Sequence, residues 1–85
     1  MDIRYKVYDS EEKDLYIGVT NHYFQVDEAR SAYRNSNNSD KIDNTILIQV
    51  AKDGAKEVEV AISFGVKEGE KLAIALLNLC QLIKD

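Results

Sequence analysis

Proline and tryptophan are absent from this chain, and cysteine, histidine and methionine occur once each. A lone cysteine cannot close an internal disulfide, and one Cys with one His falls short of the four ligands that a structural zinc site requires. No metal or cofactor is therefore expected. The longest stretch free of charged residues runs from Leu72 to Ile83, twelve positions, too few to cross a bilayer. Nor is either sign of charge concentrated. Residues 1–42 carry six basic and eight acidic groups and residues 43–85 five and seven, for a net charge of −4, so neither half is a basic module that would draw in nucleic acid or anionic lipid. Near Met1, Asp2, Arg4 and Lys6 interrupt any apolar run. A leader peptide is not expected, and a reducing cytoplasm is.

What the chain does hold is 45% hydrophobic residues in 85 positions, enough for one domain with a single modest core. Its most apolar segment is 69–85, GEKLAIALLNLCQLIKD. Leu72, Leu76, Leu79 and Ile83 recur at helical spacing and share one stripe, flanked by Ala73, Ala75, Cys80 and Leu82. Ile74 and Leu77 fall on the far side, where an amphipathic helix carries polar groups. Cys80 reads as a small core hydrophobe.

The remainder alternates. In 3–8, IRYKVY, the residues Ile3, Tyr5 and Val7 share one face and Arg4, Lys6 and Tyr8 the other. After the polar turn 9–14, Leu15, Ile17 and Val19 repeat the pattern, completing a hairpin. Val26, Ala29 and Tyr33 mark a short helix with Asp27 and Glu28 at its positive end and Arg34 at its close. The run 35–44, NSNNSDKIDN, supports neither helix nor strand and reads as a hinge. Ile46, Ile48 and Val50, then Val58, Val60, Ile62 and Phe64, predict a second hairpin about the turn KDGAK.

Together these elements predict an α+β domain spanning 1–85. It has two layers, a four-stranded antiparallel sheet with two helices on one face, in the order ββαββα. Laid over each other with Ile3 on Ile46, the halves 1–42 and 43–85 place Val7 on Val50, Leu15 on Val58, Ile17 on Val60 and Val19 on Ile62. This is a candidate internal repeat, although any two amphipathic hairpins of equal length resemble each other. Strand orders 2-1-3-4 and 1-2-4-3 both keep all neighbours antiparallel.

Catalytic chemistry has little to build on. His22 lies just past a strand end with no partner nameable from spacing. In 65–72, GVKEGEKL, the glycines suit a tight strand-to-helix passage, but Glu70 and Leu72 stand where a phosphate loop has Lys and a hydroxyl. The run from Asn35 lacks the central glycine and terminal glutamate of a calcium loop.

The expectation is thus a small acidic, non-enzymatic protein–protein interaction module that acts as an accessory or regulatory factor. It would bind a protein partner or itself, as a homodimer through the C-terminal helix. The candidate contact residues are Ile74 and Leu77 on the helix and Leu47, Tyr8 and Tyr16 on the open sheet face. Two alternatives use other residues. Arg4, Lys6, Tyr8 and Tyr16 combine cations with aromatics as a single-stranded nucleic-acid platform does, against which stand the net acidity and Glu59 on the same face. Asp9, Glu11, Glu12 and Asp14 form a carboxylate cluster that could imitate a phosphate backbone and inhibit a basic partner; a solvated hairpin tip is the plainer explanation.

Overall fold

A computed structural model describes residues 3–23, 25–37 and 42–85. The elements are β1 (Tyr5–Tyr8), β2 (Leu15–Asn21), α1 (Val26–Asn37), β3 (Ile46–Lys52), β4 (Val60–Phe64) and α2 (Val66–Lys84). The fold is α+β in the expected ββαββα order, with one four-stranded antiparallel sheet.

Strand order is 1-2-3-4, which neither order inferred from the alternation allowed for. Either of those orders would require α1 to travel the length of the sheet, so that β3 ran antiparallel to β1. Instead α1 stays at one end. Its Val26, Ala29 and Tyr33 line a cleft with Asn21, Ile46 and Val66, and Asn21 pairs with Ile46. The chain leaves and re-enters the sheet at the same end, so β3 runs antiparallel to β2. Helix α1 continues to Asn37, three residues into the stretch read as hinge, and the Ser36 hydroxyl donates to the Tyr33 carbonyl, a back-bond that lets serine sit within a helix. Of the remaining hinge residues, 38–41 lie outside the described residues and 42–44 lead without helix or strand into β3.

Two strands begin later than their alternation suggests, for a common reason. The Arg4 N–H donates to the Val19 carbonyl although Tyr5 is the partner of Val19. Likewise the Glu59 N–H donates to Val50, the partner of Val60. Two residues opposite one is a β-bulge, which bends the strand and redirects the preceding side chain. Ile3, expected beside Tyr5 and Val7, accordingly covers Gly18 on the other face; a Cβ at Gly18 would lie 3.2 Å from the Ile3 Cδ1. The β3–β4 turn closes through the Ala55 N–H and the Lys52 carbonyl, with Gly54 at φ 80°, a value that a type II turn requires and glycine supplies without strain.

Register sorts the sheet into two faces. Tyr5, Val7, Ile17, Val19, Ile46, Ile48, Val50, Val60, Ile62 and Phe64 form an apolar face; Lys6, Tyr8, Tyr16, Gly18, Thr20, Leu47, Gln49, Ala51 and Ser63 form the other. Both helices lie on the apolar side: α1 through its cleft at Ile46 and α2 through Gly69, whose Cβ, if present, would come within 2.6 Å of the Ile46 Cδ1. Beyond this first contact α2 leaves the sheet, and every residue from Glu70 to Asp85 is exposed. The apolar face stays largely uncovered, with Val7, Ile17, Val60 and Ile62 all exposed. Among the described residues, Ala51 is the only fully buried apolar one, and no large side chain is fully buried. Ala51 lies with Gly18 and Thr20 on the polar face, where small side chains are shadowed by long neighbours.

A hydrogen-bonded knot fixes the end of the sheet where the helices depart. The Asp43 carboxylate accepts from the Val66 N–H (2.9 Å), the Thr45 N–H (3.1 Å) and the Thr45 hydroxyl (2.8 Å). It caps α2 from 23 residues away, occupying the space that a Cβ at Gly65 would need and meeting the positive end of the helix dipole. The His22 N–H donates to Thr45 and the Tyr23 hydroxyl to Asn44, which ties the end of β2 into the same knot. Partial burial pushes the Asp43 carboxyl up, but its hydrogen bonds from Val66 and Thr45 outweigh that and hold it below the ordinary carboxylate value.

Asp43→Ala is expected to lower stability by about 1–3 kcal/mol, and Asp43→Asn by less, since it keeps an acceptor. Because the folded-state pKa is depressed, the carboxylate's contribution is complete above the unfolded value of about 4 and is lost as pH falls through the folded value. Urea denaturation at pH 7 and pH 3 should therefore separate wild type from Asp43→Ala clearly at pH 7 and by less at pH 3.

Candidate partner-binding surface

Helix α2 is built to be buried. Between Lys71 and Lys84 it has no charge, and its apolar residues surround the axis: Leu72, Leu76, Leu79 and Ile83 on the side toward the sheet, Ile74, Leu77 and Leu82 elsewhere. A helix apolar on all sides belongs inside a protein, and most helices owe their stability to packing, not propensity. Yet all seven of these residues are exposed, from 45% for Leu72 to 75% for Leu82. Ile74 (58%) and Leu77 (69%) are not covered by α1. Cys80, expected in the core, is also exposed; its place beside the stripe is as expected, but the stripe itself is uncovered.

Between the first turns of α2 and the sheet runs a groove of about 350 Å³, walled by Val19, Ile48 and Phe64 on one side and Leu72 and Leu76 on the other. It opens onto the bare apolar face, so groove, sheet face and α2 are one continuous hydrophobic surface. Alternation and helical spacing identified each of these residues, but as core.

The other predicted residues gather on the opposite face. Tyr8 and Tyr16 are register partners with ring centroids 5.5 Å apart at 55°, and the Lys6 ammonium lies 4.4 Å from the Tyr16 centroid. Asp53, from the β3–β4 turn, accepts from the Tyr8 hydroxyl at 2.9 Å and pairs with Lys6 at 3.7 Å. This hydrogen bond, with partial desolvation, pushes the Tyr8 phenol above its usual value. Arg4 stands apart, reaching the Asn21 side chain. Leu47 is half-buried between Thr20 and Ser63. The cations and rings thus meet, but a carboxylate sits among them and the rings are tilted together as a cross-strand pair. Asp53 could not be found from spacing because its turn lies 45 positions from Tyr8.

At the β1–β2 tip, the Asp9 carboxylate accepts from the Glu11 and Glu12 N–H groups at 3.1 and 2.7 Å, an Asx turn that lowers its pKa, chiefly through the Glu12 bond. Glu12 pairs with Lys52 at 2.8 Å, raising the lysine's pKa. Two of the four clustered acids, Asp9 and Glu12, therefore serve the hairpin itself. His22 turns its Nδ1 to the Asn44 carbonyl at 2.8 Å, so that nitrogen carries the hydrogen; the ring is a structural strut. Among the described residues, no three of His, Cys, Asp and Glu are grouped to hold a metal ion, and no helix is long and apolar enough to cross a membrane.

Comparison with known protein families, curated proteins and solved structures returns no match.

Asp53→Ala should bring the Tyr8 phenol down toward the ordinary value of about 10, as its hydrogen-bond acceptor and adjacent negative charge are both removed. A pH titration of the tyrosine ring resonances reads the shift; an unmoved Tyr8 would mean that the contact is not made in solution.

Proposed function

We propose that this protein is a non-enzymatic protein–protein interaction module that works as a homodimer, with α2 and the apolar sheet face as its contact surface. One observation carries the reading: the chain's most hydrophobic helix and most hydrophobic sheet face are both left in water. Contiguous apolar patches of this size mark interaction sites in soluble proteins, and among the described residues no large side chain is fully buried in the single chain.

The nucleic-acid reading is weaker. Stacking requires accessible ring faces beside uncompensated cations; Asp53 compensates Lys6, and Tyr8 and Tyr16 are tilted against each other, which speaks against it. The inhibitor reading is weakened likewise, since Asp9 and Glu12 are engaged within the hairpin. An accessory or regulatory role fits a module that offers an extended apolar surface.

Light scattering at micromolar concentration should return twice the 9.6 kDa chain mass. Leu76→Glu would place a charge in each copy's contact and weaken association by at least about a hundredfold, since each factor of ten is about 1.4 kcal/mol. Glu11→Lys with Glu12→Lys should leave the mass unchanged. A wild-type monomer at millimolar concentration would overturn the reading. A single-stranded oligonucleotide is expected to show no salt-sensitive binding by fluorescence anisotropy.

A further inference from the structure

We infer that two copies of this chain exchange their C-terminal helices, each α2 lying by its Leu76, Leu79 and Ile83 stripe across the apolar sheet face of the other. The inference rests on the dimer reading above and specifies what occupies the open face.

Area sets the scale. The chain exposes 6768 Å², whereas a compact monomer of 9.6 kDa exposes about 5100 Å² by the surface–mass relation. Its radius of gyration is 14.8 Å against about 12 Å for a compact domain of 85 residues. The excess of about 1700 Å² per chain is what each protomer of an obligate dimer buries, about 1000–2500 Å². A rim contact between two compact monomers would not account for it.

Direction decides whose helix covers the face. Asp43 holds the first N–H of α2, and Gly69 rests against Ile46, so the start of the helix is fixed at two points. From that start α2 stands clear of its own sheet: Leu72 and Leu76 face it only across the groove, and every residue from Glu70 onward is exposed. The sheet face and the helix stripe are complementary nonetheless. Apart from Lys52 at the end of β3, neither carries a charge along Val7, Ile17, Val50 and Val60 or along Leu72 to Ile83, and a helix of 19 residues spans about 28 Å against about 23 Å for the seven-residue central strands. Two surfaces that fit each other but do not meet within one chain are satisfied by a two-fold axis, where helix meets sheet twice and the assembly closes.

The test uses the single native thiol at Cys80, exposed on the flank of the α2 stripe. An affinity-tagged wild-type chain is co-expressed with an untagged Cys80→Ser chain carrying Val60→Cys or, in a second version, Ile17→Cys. A short thiol-to-thiol crosslinker is then added. Exchange predicts a covalent tagged–untagged pair as the dominant product for at least one version. Tagged–tagged pairs alone would mean that α2 packs on its mate and not on the sheet, overturning exchange while leaving the dimer intact. Exchange is equally overturned if light scattering shows a dimer and no tagged–untagged pair forms in either version. A chain with Cys80 and Val60→Cys together that crosslinks only within itself, at monomer mass, would overturn both the exchange and the dimer.

Discussion

The Asp43 carboxylate is the point on which the tertiary arrangement turns. It joins the entry to β3, through Thr45, to the first N–H of α2, and Thr45 in turn receives the chain leaving β2 at His22. A helix whose N-terminal N–H groups lack intrahelical partners needs an acceptor there, and Gly65 at the cap position has no side chain to provide one. The acceptor comes from a residue distant in sequence, which is why this bond orients α2 as well as ending it. The absence of a Cβ at Gly65 makes room for the carboxylate, and at Gly69 it lets the helix approach Ile46. Past those two contacts the helix runs exposed from Glu70 to its end.

From that geometry follows the molecule's main imbalance. A chain with 45% hydrophobic residues ordinarily places them between its layers, and burial of each Leu or Ile contributes about 1.5–3 kcal/mol. Here sheet and helices stand on the expected side of one another, yet the layers touch only near Ile46, Phe64 and Gly69. What would be a core is instead surface, shared between a sheet face and a helix with an open groove between them. Marginal stability leaves little room for such exposure, and the proposed association would return those side chains to a dry environment.

The opposite face shows the contrary arrangement. Lys6, Tyr8, Tyr16 and Asp53 satisfy one another, and Ile3, turned by the bulge at Arg4, covers Gly18. Small buried residues, Gly18, Thr20 and Ala51, lie beneath this layer of long side chains. A surface whose charges and rings are already paired has less to offer a ligand than the composition of those residues suggests.

Local periodicity determined the elements: alternation at Tyr5 to Tyr8, Leu15 to Val19, Ile46 to Val50 and Val60 to Phe64, and the four–three–four spacing from Leu72 to Ile83, are properties of a pleated strand and of a 3.6-residue helix that hold whatever surrounds them. The same periodicity separated the apolar face from the polar one, and it marked Ile74 and Leu77 as out of place. Strand order, the bulges at Arg4 and Glu59, the reach of Asp53 to Tyr8 and the capping of α2 by Asp43 were decided only by tertiary structure, since each depends on groups far apart in the chain. So was the fate of the apolar stripe: a pattern of spacing says which side chains want to leave water, and only the direction in which α2 departs says that its own sheet does not receive them.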